Sequence, residues 1–222
     1  TKYKIDSEEN WLTEEVAKQL GKSGQTLTED DFKLIKKIDL SNSKIDDKFP
    51  EEIILLRNLE YLNLNNTKLY GDIPEYLAGL NKLTYLDLGD NKLTDIPEEV
   101  EDKIIEGKYT YCDVSNNKLN LKEGWHFLKG KKVYLDRYGD PLTGEHEIDG
   151  QVYQFKEDGT IREGLEEKDG KTYYYDKTGI AKNAWKAVNG QYFYFNENGE
   201  MQKNTMLTIN NKKYCVDSNG AM

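Results

Sequence analysis

Two sets of side chains recur in this sequence at intervals that place them in rows. Lys37, Tyr61, Tyr85 and Tyr111 form the first, and two places further on stand Asp39, Asn63, Asp87 and Asp113. Alternation along a strand points both sets out of one face. Tyrosines beside carboxylates and amides could form a docking strip for a protein or a carbohydrate. The same residues could simply cover a pleated surface, where an exposed aromatic needs no ligand to explain it.

Covalent and acid–base chemistry finds no footing. The chain has no G-x-S-x-G, no H-E-x-x-H, no phosphate-binding loop and no cysteine–histidine neighbourhood, and its carboxylates are too evenly spread to nominate an acid and a base. His126 and His146 lie one period apart without a zinc-type set of cysteines or carboxylates, and both read as solvated. The two cysteines, Cys112 and Cys215, fall where the repeats reserve apolar or aromatic positions, so each reads as a buried thiol rather than half of a disulfide framework. Glu29-Asp30-Asp31 and the run from Glu98 to Asp102 read as a helix first turn and a solvated face without a calcium loop. The expectation is a non-enzyme needing no metal or cofactor.

Charge and hydropathy agree. With 41 Asp+Glu against 31 Lys+Arg the formal charge is −10, concentrated before Gly124, the opposite of a nucleic-acid footprint. A mean hydropathy of −0.86 suits an elongated repeat protein with much surface per residue. No apolar run is long enough for a bilayer. The chain opens at Thr1 without a signal peptide, which reads as a processed or truncated chain that need not carry its targeting segment.

The elements that position these residues are repeats. Leu59, Leu62, Leu64, Thr67 and Leu69 return as Leu83, Leu86, Leu88, Asn91 and Leu93, a shift of 24 that matches the pattern L-x-x-L-x-L-x-x-N-x-L. Each unit predicts a short strand with inward leucines and an inward asparagine amide that satisfies buried backbone groups. Ile35–Ile45 forms an earlier unit, and a degenerate fourth keeps Tyr109, Cys112, Val114, Asn117 and Leu119, offset by 26. The two extra residues belong to the convex side. Residues 1–34 predict a helical cap over the first repeat, with Trp11, Leu12, Val16 and Leu20 at helical spacing and Thr28 as an N-cap.

After Leu119 a second grammar begins. Glycines 130, 150, 170 and 190 stand 20 apart, with Asn211 one place late. Asp149-Gly150, Asp169-Gly170 and Asn189-Gly190 predict type I′ hairpin turns, followed by the β-prone runs VYQF, TYYY and YFYF. The fold class expected is an α+β repeat protein: helical cap (1–34), leucine-rich solenoid of four units (35–123) and β-hairpin solenoid of five units (124–222).

The first region resembles bacterial surface proteins with leucine-rich repeats. The second is similar to the cell-wall-binding repeats of Gram-positive surface proteins, a family that includes choline-binding modules, glucan-binding domains and clostridial toxin repeats. In choline-binding members, aromatics from the Gly-Trp position and from the hairpin strand cage a quaternary ammonium by cation–π attraction. That resemblance places the first ring at Trp125 and Trp185, with Glu145, Leu165 and Met206 in the other units. It places the second at Lys132, Val152, Thr172, Tyr192 and Lys213. Only the fourth unit then keeps both rings, Trp185 and Tyr192, with Tyr194 and Tyr173 as candidates to complete the cage. Weak or no choline binding is expected, and glucan, teichoic acid or a toxin-like receptor remain alternative ligands.

The resemblance therefore implies an extracellular, wall- or surface-attached protein without membrane insertion or nucleic-acid binding. Its hairpins would hold wall polymer or glycan while its leucine-rich repeats recognise a protein. An adhesin or toxin-like host-glycan binder, and an accessory module of a larger surface enzyme, are the alternatives.

Overall fold

The computed structural model describes residues 9–222, which form two compact units, one running to Asp140 and the other spanning Pro141–Met222. The part of the expected cap before residue 9 lies outside the described residues. In the first unit, helix α1 (Trp11–Leu20) opens on Asn10, whose Oδ1 accepts from the amides of Leu12 and Thr13, each at 3.0 Å, satisfying two otherwise unpaired helix donors. Gly21 closes it at φ 64°. The short α2 (Glu29–Phe32) follows Thr28, whose amide donates to Asp31 Oδ2 at 2.9 Å.

Strands β1 (Lys37–Asp39), β2 (Tyr61–Asn63), β4 (Tyr85–Asp87) and β6 (Tyr111–Asp113) make one parallel sheet in that order. Their register aligns Lys37, Tyr61, Tyr85 and Tyr111. Between them β3 (Tyr70–Asp72) and β5 (Lys92–Asp95) pair in parallel. The convex side carries short 3-10 turns at Glu51–Leu55 and Glu75–Gly79. In the longer unit it carries a true helix, α3 (Glu98–Ile105), where the two extra residues sit.

One apolar core runs through all of this, from Trp11, Leu12 and Val16 through the repeat leucines to Cys112 and Val114. Trp11 seals its end, stacking edge-on against Phe49 at 6.4 Å and donating from Nε1 to the Lys48 carbonyl at 2.9 Å. Fully burying each leucine stabilises by roughly 1.5–3 kcal/mol. Asn91 serves as the sequence pattern requires. Its amide donates to the carbonyls of Leu64, Leu88 and Gly89, and its Oδ1 accepts from Thr67 N, Thr67 Oγ1 and Leu69 N, all within 2.8–3.1 Å.

The remaining strands are antiparallel hairpins. The first, β7 (Gly124–Leu128) with β8 (Lys131–Leu135), belongs to the same compact unit as the leucine-rich repeats, and Phe127 packs against their core. The second unit holds β9 (Gly144–Ile148) with β10 (Gln151–Phe155), then β11 (Gly164–Lys168) with β12 (Lys171–Asp176) and the two-residue β13 (Gly179–Ile180). It ends with β14 (Ala184–Val188) paired to β15 (Gln191–Phe195) and β16 (Thr205–Ile209) paired to β17 (Lys212–Val216). At each Asp-Gly or Asn-Gly turn both residues have positive φ, for example 52° and 76° at Asp149-Gly150, as type I′ requires. Its small core gathers Ala181, Phe193, Phe195 and Met201.

Three side chains depart from expectation. Cys112 is buried but Cys215 is exposed, because Cys215 faces outward opposite Met206, itself 61% exposed. His146 is half-buried. His126 is fully buried rather than solvated, because the first hairpin docks beside α3. Its Nε2 lies 2.8 Å from the Lys122 carbonyl and 3.8 Å from Oε1 of the buried Glu101, which in turn accepts from the Lys122 amide.

Burial lowers the His126 pKa from its ordinary 6.5, outweighing the bond to the Lys122 carbonyl, and raises Glu101 above 4.5 despite its amide bond. Both groups are pushed toward neutrality, so their contact is not an ion pair at neutral pH. A histidine with a lowered folded pKa is protonated first in the unfolded chain, so this unit loses stability as pH falls below about 6.5. A carboxyl with a raised folded pKa takes its proton first in the folded state and returns stability as pH falls further toward 4.5. Urea titrations across this range should show the first loss, and His126→Leu should remove it. An unchanged pH slope in that variant would refute the assignment.

Candidate functional site

The second hairpin grammar supplies the rings best arranged for a ligand. In the register of β14 and β15, Trp185 stands directly opposite Tyr194, while Tyr192 pairs with Ala187. Period-2 alternation puts all four on one face. The Trp185 and Tyr194 centroids are 5.2 Å apart at 59°, and Tyr214 of β17 also contacts Trp185, at 5.2 Å and 61°. All three rings are half-buried, whereas Tyr192 is 51% exposed. Half-exposed aromatic rings clustered in this way can attract a cation to their π-faces. Among the described residues no lysine or arginine stands over Trp185.

Of the residues expected in this cage, the structure brings together Trp185 and Tyr194, with Tyr192 at the rim. Tyr173 is not with them. It pairs with Glu166, the place that Phe193 takes opposite Lys186 one unit later, and it makes no ring contact with Trp185. The sequence pattern does not single out Tyr214. Its signal is faint because Asn211 replaces the turn glycine one place late and shifts the fifth unit's count.

The register also shows that the ring facing the Gly-Trp tryptophan lies two places beyond the position the consensus assigned. The opposed pairs are Trp125–Tyr134, Glu145–Gln154, Leu165–Tyr174, Trp185–Tyr194 and Met206–Cys215. The first and fourth hairpins therefore both carry a tryptophan–tyrosine pair. Where rings are missing, salt bridges and polar bonds replace them. Glu145 accepts from Lys168 at 3.0 Å and from the Tyr175 hydroxyl at 3.2 Å, and burial with that carboxylate pushes the Tyr175 pKa up to about 12. Lys186 bonds Asp176 at 2.6 Å and lies 5.5 Å from the Tyr174 centroid.

The tyrosine row of the leucine-rich sheet is a packed column. Tyr61 and Tyr85 stack at 4.1 Å and 12°, and Tyr85 and Tyr111 at 4.4 Å and 7°. Lys37 Nζ covers one end, 4.3 Å from the Tyr61 centroid, and the backbone of Gly130 closes against Tyr111 at the other. Burial and the carboxylates of Asp87 and Asp113 push the Tyr111 hydroxyl up to about 12. The acidic row expected to point outward beside it divides. Asp39 is exposed and Asn63 half-buried, but Asp87 and Asp113 are buried. They stay on the tyrosine face but are covered there, each carboxylate capping the bend after its strand by accepting from Gly89 N at 3.0 Å and Ser115 N at 2.8 Å, and Asp87 also accepting from the Tyr111 hydroxyl at 3.4 Å. Among the described residues no three His, Cys, Asp or Glu are placed to hold a metal, and no helix is long and apolar enough to cross a membrane.

Known families follow the same division. A model of leucine-rich repeats (two copies) matches residues 57–100, and the choline-binding repeat matches residues 181–222. The chain carries leucine-rich repeats and repeats of the choline-binding type. The second match spans β14 to β17, the two hairpins that supply Trp185, Tyr194 and Tyr214.

Among solved structures, choline binding protein F from Streptococcus pneumoniae, determined with a peptidoglycan analogue, is 31% identical over 45% of this chain and 32% of its own, with a TM-score of 0.36. The choline binding domain of a second Streptococcus pneumoniae protein is 33% identical over 36% of this chain and 94% of its own, with a TM-score of 0.31. The modular autolysin LytC from that organism is 20% identical over 46% and 24%, with a TM-score of 0.40. The chain spans about a third of the length of choline binding protein F. No curated protein matches the sequence.

Proposed function

We propose that this chain is a non-enzymatic bacterial surface protein whose choline-binding-type repeats attach it to choline-bearing wall polymer or a related glycan. The observation that carries the reading is the cluster in which Trp185 contacts both Tyr194 and Tyr214, inside the segment that matches the choline-binding repeat. The neighbouring positions without such rings support one such site in these two hairpins. Three rings at about 1–2 kcal/mol each correspond to a dissociation constant of roughly a millimolar, which is weak binding. On this reading the leucine-rich repeats recognise a protein. They present the ring edges of Tyr61, Tyr85 and Tyr111 with Asn63, while Asp87 and Asp113 hold the column's shape. The reading places the protein outside the cell, at the wall or surface.

Titrating the whole chain with choline should give a saturable change in tryptophan fluorescence that Trp185→Ala abolishes. A response that survives this substitution would remove the site. The whole chain should also pellet with choline-bearing Gram-positive walls and be released by free choline. Release by a sugar instead would favour a glycan ligand, and protein left in the supernatant would end the attachment reading.

A further inference from the structure

The first and fourth hairpins carry the same tryptophan–tyrosine pair in the same register, Trp125 opposite Tyr134 and Trp185 opposite Tyr194. The centroid separation is 5.2 Å in both. Two places after the turn glycine, however, the first hairpin has Lys132 where the fourth has Tyr192. The Lys132 ammonium lies 4.3 Å from the Trp125 centroid, the position a ligand cation takes on a tryptophan face. We infer that Lys132 is the built-in cation of the Trp125 ring, so that this hairpin is closed to external quaternary ammonium ions while the Trp185 hairpin is open.

The chemistry is a competition between a tethered and a free cation for one π-face. A lysine two residues along the facing strand is held at an effective concentration of roughly millimolar or more, so a free ligand of modest affinity must first displace it. Lys132 is exposed, so its stem can reach Trp125 without disturbing the buried Val133 and Leu135 that follow it on the strand. A lysine also lies near the Tyr174 ring of the third hairpin, so a cation drawn from the chain itself recurs in these repeats. Lys132 thus acts as a specificity-determining residue that sets how many sites the chain offers.

This inference rests on the proposed choline reading of Trp185, but its test separates the two. Calorimetric titration of the full chain with choline is compared in wild type, Trp185→Ala, Lys132→Tyr, Lys132→Ala and Lys132→Arg. Both uncharged variants should bind one more equivalent than wild type, and Lys132→Arg should not. The added site should persist in Lys132→Tyr/Trp185→Ala and vanish in Lys132→Tyr/Trp125→Ala. If Lys132→Tyr and Lys132→Ala both leave the stoichiometry at its wild-type value, the inference is overturned. If wild type binds nothing while Lys132→Tyr binds one equivalent, the inference stands and the Trp185 reading falls.

Discussion

Replacing Asn91 by alanine should destabilise the leucine-rich unit by about 3–5 kcal/mol, the range of substitutions that break a buried polar network. The amide makes three donations and three acceptances that tie the second repeat to the third. Water cannot replace them, because Asn91 and Thr67 are both buried and the surrounding leucines fill the space. Removing the side chain leaves Thr67 N and Leu69 N without partners, while the Leu64 carbonyl keeps only the Thr67 hydroxyl, and each orphaned group costs about 1–3 kcal/mol. Asn117 performs the same service one repeat later, bonding Leu93 N and the carbonyls of Leu88 and Val114. It is half-buried, so Asn117→Ala should cost less. Urea denaturation followed through Trp11, which seals the core, ranks the two. A loss below about 1 kcal/mol for Asn91→Ala, or an equal loss at Asn117, would contradict this account.

Gly130→Ala should undock the first hairpin. Two costs act there together. The residue sits at φ +69°, and a methyl group would come within 2.6 Å of Tyr111 Cε2. Left-handed backbone alone costs an alanine about 1–2 kcal/mol, and overpacking against a ring fixed in a stack adds about 1–3 kcal/mol. Gly139 separates the two terms, since its φ is +82° and nothing lies within 4 Å of the methyl. Gly139→Ala should therefore show the backbone cost only. Stability of the two variants, with Trp125 emission reporting the hairpin, gives the comparison, and equal losses would show that Tyr111 yields freely.

Much of this architecture was legible in the residues because the repeats are strict. Leu59 to Leu93 restarts in register, so inward leucines and the Asn91 position follow from counting, and Asp149-Gly150 declares its turn by composition. The aromatic site was harder to read. Strand alternation fixes which residues share a face, but which ring opposes Trp185 depends on where the hairpin turns, and a consensus count stopped two places short of Tyr194. Tyr214 reaches Trp185 across two hairpins, a contact set by how they stack rather than by any local pattern. The burial of His126 likewise arises from docking against α3, and that of Asp87 from the bend it caps. Neither leaves a mark in the periodicity.

The tyrosine column has one more consequence. Parallel strands of three residues hold few hydrogen bonds, and a slip of the middle rung by a single residue would exchange Tyr85 for Thr84 or Leu86. Because Tyr61, Tyr85 and Tyr111 overlap face to face between Lys37 and Gly130, such a slip at the middle rung would break the overlap on both sides. The rings pin neighbouring rungs against sliding, so a pull along any one strand is shared by the others.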